Sequence, residues 1–170
     1  KSVGNGITFR RNLVGWTDIH TGVALLSDSV AMRLRKHGMK CASVQITIRS
    51  PDFKDTCRQK RLAAPSCTAQ DLGRAAIELI REAWDSNSPI RALTITGQNL
   101  LPEENAGEQL DLFHADAAPR REKRERLERA VDRIRGRFGR DAIQSAAVVG
   151  EDIDHPVSPS GRIPTPQQEL

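Results

Sequence analysis

Three stretches of the first 100 residues alternate apolar and polar side chains, a pattern typical of strands with one buried face. A fourth stretch, nearly all polar and basic, follows a turn and is predicted to pair with its neighbour as a hairpin. Two further stretches place apolar residues at steps of three and four, which predicts helices with one buried stripe. In chain order the predicted elements are a strand over residues 2–9, a helix over 17–37, strands over 41–49 and 54–62, a helix over 68–86 and a strand over 90–97.

The order β-α-β-β-α-β predicts an α+β fold in which one four-stranded sheet carries both helices on a single face. Thr17 and Thr68 are the predicted N-caps, and Gly38 is placed to end the first helix. This two-layer domain is predicted to occupy residues 1–100. The predicted buried stripes are Ile19, Val23, Leu26, Val30 and Leu34 on the first helix and Leu72, Ala76, Leu79, Ile80 and Ala83 on the second.

The remaining residues divide into a linker, a helical segment and a tail. Residues 101–118 form an acidic linker, and residues 119–149 hold a charged helix followed by a candidate short strand at 142–149. The helix carries one apolar stripe, which we expect to dock on the domain rather than to bind a partner. The stripe consists of Leu127, Val131, Ile134 and Phe138. Residues 150–170 are rich in Pro and Ser and are predicted to be disordered.

One apolar island interrupts the acidic linker. It consists of residues 109–113, Gln-Leu-Asp-Leu-Phe, and is called the linker motif below. Such a pentapeptide either folds back onto its own domain or fills a pocket of another protein. The predicted core closes without it, which favours the second reading.

The balance of positive and negative residues also changes where the linker begins, at about residue 100. Residues 1–100 hold 15 Lys/Arg against 8 Asp/Glu, whereas residues 101–170 hold 11 against 14. A basic domain favours a polyanionic partner for the first part of the chain only. No Gly-rich phosphate loop and no Ser/His/Asp arrangement stands out, and Asp52 and Asp55 lie in a basic turn that is no convincing metal pair. The stretch is therefore predicted to recognise a partner rather than to catalyse a reaction.

The cysteines and the hydropathy bear on the compartment. Cys41, Cys57 and Cys67 are odd in number and lack metal-ligand spacing, which favours free thiols in a reducing cytoplasm. No signal peptide is recognisable, and no apolar run approaches the roughly 20 residues of a membrane span. We expect a cytoplasmic monomer without membrane contact. Because the chain opens on Lys1 without an initiator Met, we also expect it to be part of a longer protein.

The sheet face that the helices leave open is the predicted binding surface. Alternation gives it hydroxyls, amides, glycine and cations, with no acid paired across it, and such groups suit the phosphate oxygens of a duplex. Base stacking is disfavoured, because Phe9 points inward and Phe53 lies at a turn. The residues predicted on this face are Ser2, Gly4, Thr8, Gln45, Thr47, Arg49, Arg58, Lys60, Thr94 and Thr96.

Several segments resemble, in the same order, the C-terminal little finger domain of Y-family translesion DNA polymerases of the DNA polymerase IV type. They are KSVG and TF within residues 1–9, VAMRLRKHG in 30–38, VQITIR and DF within 44–53, TCRQKRL in 56–62 and FGRDAI in 138–143. The resemblance implies a sheet backed by two helices that lies along the DNA major groove and grips template and primer phosphates. It adds Lys1 and Arg61 to the predicted duplex contacts.

The resemblance also implies where the chemistry lies. In the family the polymerase carboxylates and the nucleotide site belong to palm, fingers and thumb domains, which would precede Lys1. This chain alone is therefore expected to be no enzyme and to hold no cofactor, with Mg²⁺ expected in the palm of the parent DNA-directed DNA polymerase. Cys57 stands where small hydroxyl residues are common in the family, which weakens a side-chain phosphate contact there but not at Arg58.

The linker motif resembles the bacterial sliding-clamp-binding motif, a Gln followed by Leu-x-Leu-Phe. The resemblance makes the sliding clamp a partner, with Leu112 and Phe113 as expected buried anchors. The implied clamp-binding residues are Gln109, Leu110, Asp111, Leu112 and Phe113.

Two other functions stay open on the sequence alone. Split β-α-β sheets also bind RNA, but the open face would then be expected to carry aromatic residues. Alternatively, the chain is a pure protein-interaction module in which the sheet face is unused and the linker motif is the whole function.

Overall fold

A computed structural model describes residues 1–105, 117–139 and 142–144 of the chain. The predicted order of elements is confirmed, and each strand extends two to five residues beyond its predicted bounds at one end, while β3 begins one residue later than predicted. The elements are β1 (Ser2–Leu13), α1 (Gly15–Lys36), β2 (Met39–Arg49), β3 (Asp55–Ser66), α2 (Ala69–Ala83), β4 (Ile90–Pro102), a short 3-10 helix (Glu103–Asn105) and α3 (Ala117–Phe138).

The four strands form one sheet in the order β1-β4-β2-β3, and every neighbouring pair is antiparallel. β1 and β2 consequently run parallel to each other with β4 between them, which is the predicted split β-α-β arrangement. The core lies between one face of this sheet and the pair α1 and α2. Val44, Ile46, Ile48, Leu93 and Ile95 supply the sheet side of the core and are fully buried.

The predicted helix stripes supply the other side of the core. Every residue of the α1 stripe is at most 2% exposed, and Leu72, Ala76 and Ile80 of α2 are fully buried. Ala83, placed on the α2 stripe by the sequence, is only half-buried at the last residue of the helix. The sequence therefore predicts correctly which faces of α1 and α2 pack on the sheet.

The two helix starts differ in how well the sequence predicts them. Thr68 is the N-cap of α2, where its hydroxyl oxygen accepts a hydrogen bond from the backbone N–H of Asp71 at 3.3 Å. The prediction of Thr17 as the N-cap of α1 is wrong, because the helix begins at Gly15 after Val14. The side chain of Val14, the N-cap residue, makes no capping hydrogen bond. Its own N–H donates to the Asp18 carboxylate at 3.1 Å, so an acid in the first turn reaches back to the N-cap amide, as the acid of a capping box does.

α3 packs on the domain with a face about 100° around the helix from the predicted one, and of the predicted stripe only Val131 is half-buried. Leu127, Ile134 and Phe138 are 63%, 39% and 72% exposed, so the predicted apolar docking stripe is wrong. The side of α3 that faces the domain is charged. Glu128 and Asp132 on that side form ion pairs with Arg35 in the last turn of α1.

Arg35 explains the orientation of α3. Its side chain is only 3% exposed, and it donates to the carbonyl oxygen of Cys67 at 2.8 Å and to Asp132 at 2.6 and 3.0 Å, as well as to Glu128. Glu128 also accepts the N–H of Ala69, the first residue of α2, at 3.0 Å. A buried guanidinium and a helix-terminal amide both need acceptors, because leaving such groups unpaired costs several kcal/mol. The apolar face of the sheet is already covered by α1 and α2. Packing Leu127 of α3 on the domain would therefore stabilise the fold less than pairing these polar groups does.

Other ion pairs extend this contact along α3. Lys40 pairs with Glu125 at 2.8 Å and Asp28 pairs with Arg135 at 2.7 Å, while Glu103 pairs with Arg129. Burial opposes the charge of Arg35, yet its hydrogen bond with Asp132 and the nearby Glu128 raise the pKa of the guanidinium overall. For Glu128 burial prevails and raises the pKa of the carboxyl.

The remaining expectations have mixed outcomes. Cys41 and Cys67 are buried free thiols, with burial raising the pKa of Cys41 to about 12 and that of Cys67 to about 11, whereas Cys57 is exposed. Residues 142–144 are not a strand. The linker motif, residues 145–149 and the tail lie outside the described residues. None of the helices in the described part of the chain has both the length and the hydropathy to cross a membrane.

Candidate nucleic-acid interface

The open face of the sheet is a grid of four strands by four rows. Opposed residues of an antiparallel pair share a face, so the strand registers identify its members. The rows, each read from β1 through β4 and β2 to β3, are Ser2-Gln98-Ser43-Arg61, Gly4-Thr96-Gln45-Gln59, Gly6-Thr94-Thr47-Cys57 and Thr8-Ala92-Arg49-Asp55. The two middle rows hold only small or uncharged polar side chains.

The glycines of β1 make room for threonines of β4. A Cβ atom at Gly4 would lie 2.6 Å from the hydroxyl oxygen of Thr96, and Gly6 stands in the same relation to Thr94. The threonine side chains therefore lie over the glycine backbone, and this half of the face is smooth. The close approach that glycines in a strand suggest is thus made by side chains of the neighbouring strand.

The face is also bound together by its own hydrogen bonds. The Gln98 amide donates to the Gln45 side-chain oxygen, and the Asn99 amide donates to the Ser43 hydroxyl at 3.0 Å. Ser43, Gln59 and Gln98 were not among the predicted face residues. Ser43 lies within the predicted strand 41–49 and has the parity of Gln45, so the alternation could have supplied it. Gln98 would have followed if the strand predicted over 90–97 had been extended by one residue.

The predicted placement of Arg58 and Lys60 on the open face is wrong. Arg58 lies opposite Ile46, and Lys60 lies opposite Val44, so both belong to the face on which the helices pack. The hairpin register pairs Arg49 with Asp55, and a one-residue shift in that register exchanges the two faces of β3. Lys60 accordingly reaches Glu78 on α2 at 2.6 Å, which raises the pKa of Lys60. Arg58 stays exposed at the margin, on an edge strand.

The prediction that no acid is paired across the face is wrong for the same reason. Asp55 lies directly opposite Arg49 on the open face and accepts two hydrogen bonds from it, both of 2.7 Å. This contact lowers the pKa of the Asp55 carboxyl. Both carboxylate oxygens of Asp55 therefore accept hydrogen bonds from Arg49 and are not free to coordinate a metal ion. In the described part of the chain, no three His, Cys, Asp or Glu side chains are grouped to hold a metal ion.

The cations of this face consequently lie at its ends. Arg61 is exposed at the β3 end of the row that begins at Ser2, and the exposed Lys1 precedes Ser2 at the opposite, β1 edge. Arg49, in the row at the other end of the strands, is neutralised by Asp55. No aromatic side chain occupies any of the four rows, and Phe9 is buried on the other face. Phe53 is 67% exposed at the β2–β3 turn with the Arg91 guanidinium 5.0 Å from its ring. The face can thus contact a backbone closely but offers no stacking platform.

Comparison with known proteins identifies relatives of the domain. The family model described as the impB/mucB/samB family C-terminal domain matches residues 1–112. A DNA polymerase IV of Acetivibrio thermocellus is 34% identical over 139 residues, which cover 82% of this chain and 34% of the relative. A DNA polymerase IV of Bacillus velezensis is 31% identical over 154 residues, covering 89% and 36% respectively. The chain spans about a third of the length of these relatives.

Solved structures share the fold. The complex of a beta-clamp processivity factor with the little finger domain of PolIV contains a match with a TM-score of 0.50 and 18% identity, over 65% of this chain and 99% of that one. The insertion ternary complex of Dbh DNA polymerase matches with a TM-score of 0.52 and 14% identity, over 59% of this chain and 29% of that one. At these identities the matches establish the architecture alone.

Proposed function

The chain belongs to the impB/mucB/samB family, as the little finger domain of a Y-family DNA polymerase of the polymerase IV type, and we propose that it grips template–primer duplex DNA while its linker motif binds a sliding clamp. The observation that carries the first half of the proposal is the open sheet face. That face is smooth, uncharged in its middle rows and cationic at one end.

Such a face suits phosphate contact without sequence readout. Hydroxyls and amides of Thr47, Thr94, Thr96 and Gln45 can donate to phosphate oxygens, as can backbone and small polar side chains in general. Because the Thr96 and Thr94 side chains fill the space above Gly4 and Gly6, no large side chain projects from this part of the sheet and the duplex can lie flat against it. Contacts to phosphate oxygens carry no information about base sequence, and a polymerase that advances along its template needs a grip of this kind.

The number of free cations sets the expected salt dependence. With Arg49 neutralised and Lys60 directed at α2, the cations described above that remain on the face and its margin are Lys1, Arg58 and Arg61. The logarithm of Kobs should therefore fall against the logarithm of the salt concentration with a slope of about −3. Titration of the chain with a fluorescent duplex at several salt concentrations measures this slope. A slope near zero would contradict the phosphate grip.

Arg61 and Lys60 provide a matched pair for the DNA contact, because they are adjacent on β3 and belong to opposite faces. Arg61→Gln should weaken duplex binding roughly fivefold and make the salt slope shallower by about 1, since a phosphate contact contributes about that much. Lys60→Gln should change the affinity less than twofold. Equal losses in the two variants would show that overall charge, and not the open face, governs binding.

The same titration discriminates the alternatives. If the open face binds nucleic acid by backbone contact, single-stranded RNA should compete poorly with duplex DNA, because the rows hold no aromatic platform. Strong competition by the RNA would support an RNA-binding module. An unchanged affinity in Arg61→Gln and in an Arg49→Gln variant would support a pure interaction module.

For the linker motif we propose clamp binding, as its sequence resemblance implies. Leu112 and Phe113 would fill an apolar pocket and Gln109 would fix the peptide by hydrogen bonds. Holding the clamp and the DNA at once makes the second contact intramolecular, which raises its effective concentration. Leu112→Ala combined with Phe113→Ala should abolish clamp binding and leave the melting temperature unchanged. A large drop in melting temperature would instead show that the motif packs on its own domain.

The polymerase reaction itself is assigned to the part of the relatives that this chain does not span, together with the Mg²⁺ ions on which it would depend. In that scheme the present domain positions DNA and clamp and takes no part in the chemistry. The scheme is tested by joining the chain to a palm, fingers and thumb core of the same family. Primer extension by the fusion should become more processive on a clamp-loaded template than extension by the core alone.

A further inference from the structure

The outward face of α3 separates two kinds of side chain. Its exposed charged residues are five cations and one acid: Arg120, Lys123, Arg126, Arg133 and Arg137, with Glu122. The acids Glu125, Glu128 and Asp132 are half-buried and turned toward the domain, where they meet Lys40 and Arg35. Because these acids are paired with cations of the domain, the outward face of α3 is strongly basic.

An apolar row lies beside these cations. Leu127, Ile134 and Phe138 follow one another at steps of seven and four, so they share one stripe of the helix. Their exposed fractions are 63%, 39% and 72%. A row of cations next to a row of large apolar side chains is the pattern of a helix that lies in a groove lined by apolar groups and rimmed by acids.

Physical chemistry narrows the choice of partner. A second copy of the chain is disfavoured, because the same basic face would meet itself with like charges opposed. Phosphates alone would pair with the cations but would leave the apolar row in water. An anionic bilayer needs a broad apolar face, whereas this row is one side chain wide. An acidic protein surface with a narrow apolar groove satisfies both rows.

The chain itself indicates which protein that is. Only four residue steps separate Phe113 of the linker motif from Ala117, where α3 begins. A fully extended chain covers at most about 14 Å over that distance. Whatever protein holds the linker motif therefore has its surface next to the first turn of α3.

We infer that the outward face of α3 is a second contact for the protein that binds the linker motif, and that it meets an acidic, partly apolar surface beside the peptide pocket. This inference rests on the proposed function, which takes that protein to be the sliding clamp. Two contacts joined by a short connection would reinforce each other through effective concentration.

The test measures binding of the full chain to the purified sliding clamp of the same organism by titration calorimetry. The apolar variant is Leu127→Gln with Ile134→Gln and Phe138→Gln, and the charge variant is Arg126→Gln with Arg133→Gln and Arg137→Gln. Each should raise Kd about tenfold, with the melting temperature and helix content unchanged because all six side chains are exposed. The charge variant should also lose most of its sensitivity to salt. Glu122→Gln, which removes the one exposed acid of α3, is the matched control and should bind as tightly as the wild type or more tightly.

The outcomes separate the inference from its premise. If Leu112→Ala with Phe113→Ala abolishes clamp binding while both α3 variants bind like the wild type, the second contact is refuted and the tether stands. If the linker-motif variant binds like the wild type, or the wild type does not bind, the tether and the second contact both fail. A further arm uses vesicles of phosphatidylcholine and phosphatidylserine in a 7:3 ratio. Loss of vesicle binding in the α3 variants without loss of clamp binding would assign the face to a membrane instead.

Discussion

α2 and α3 are both amphipathic helices rich in charge, yet they pack on the same domain in opposite ways. α2 buries its apolar stripe against the sheet, with Leu72 and Ile80 fully buried. α3 buries carboxylates and leaves Leu127 and Phe138 largely exposed. The difference teaches that an apolar stripe predicts the buried face of a helix only where an apolar surface still needs cover.

The order in which surfaces are covered accounts for the contrast. Only one face of the sheet is apolar, and α1 and α2 already cover it. The surface that remains for α3 is formed by helix ends. There Arg35 and the Ala69 amide would lack hydrogen-bond acceptors if α3 did not supply them. Pairing a buried guanidinium avoids a penalty of several kcal/mol, whereas covering a leucine with already polar surroundings gains little.

The largest expected effect is on α2. Leu72→Ala should lower the free energy of unfolding by about 3 kcal/mol, because it removes a fully buried side chain and leaves a cavity. Urea denaturation followed by circular dichroism measures the change. A loss below about 1 kcal/mol would mean that α2 is not held by its apolar stripe.

The next effect concerns the ion pairs of α3. Asp132→Ala should lower the free energy of unfolding by about 2 kcal/mol, less than a fully unpaired buried charge would cost, since Glu128 remains and α3 can move away to let water reach Arg35. Glu122→Ala, at an exposed position of the same helix, is the control and should have an effect within about 0.5 kcal/mol. Equal effects of the two substitutions would remove the special role of the Arg35 contact.

The third prediction concerns the carboxyl of Asp71 near the start of α2. Its pKa shifts in the opposite direction to that of the nearby Glu128. Burial acts to raise the pKa of Asp71, but hydrogen bonds from Ser66 and Thr68 and the charge of Arg74 lower it overall, in contrast to Glu128. A lowered pKa in the folded state means that Asp71 stabilises the fold above its unfolded-state value, near 3.9. That stability is lost as the pH falls through the still lower folded-state pKa.

Asp71→Asn should therefore be less stable than the wild type by about 1 kcal/mol at pH 7, and the difference should shrink as the pH is lowered from 4 toward 2. Thermal unfolding of both proteins across this pH range gives the comparison. A difference that stays constant would show that the loss is steric and not linked to ionisation.

The smallest effect is the most direct check on α3. Leu127→Ala should change the free energy of unfolding by less than about 0.5 kcal/mol, since the leucine is 63% exposed. The same substitution at Leu72 gives the reference. A loss at Leu127 comparable to that at Leu72 would restore the apolar docking that periodicity suggests.

Periodicity predicts most of this fold because local pattern and core burial agree over residues 1–100. Val44, Ile46 and Ile48 alternate with polar residues, and they are buried as expected. The β3 face could not be predicted in this way, because Lys54 to Arg61 carry almost no apolar marker of which side is inward. Their face follows from the hairpin register, which depends on a turn in which Phe53 adopts a positive φ of 61°.

In the candidate site, too, the residues on strands with clear apolar alternation could be predicted, and those on β3 could not. Polar residues on β1, β2 and β4 were identified from their apolar neighbours, whereas Arg58, Lys60 and Asp55 required the register. The face of α3 required knowledge of Arg35, whose burial at the end of a helix leaves no mark in a hydropathy pattern. Sequence reasoning therefore fails where charges, not apolar groups, decide which surfaces meet.

The position of β4 has a consequence for the synthesis and folding of the chain. Among the strands of the described residues β4 is translated last, yet it lies between β1 and β2 and pairs with both. Before residues 90–102 emerge from the ribosome, β1 has no partner strand and only the β2–β3 hairpin can form. Closure of the sheet therefore waits for contacts distant in sequence, and such contacts slow folding. A nascent chain halted short of β4 would expose the apolar faces of α1 and α2, which makes it a ready substrate for chaperones.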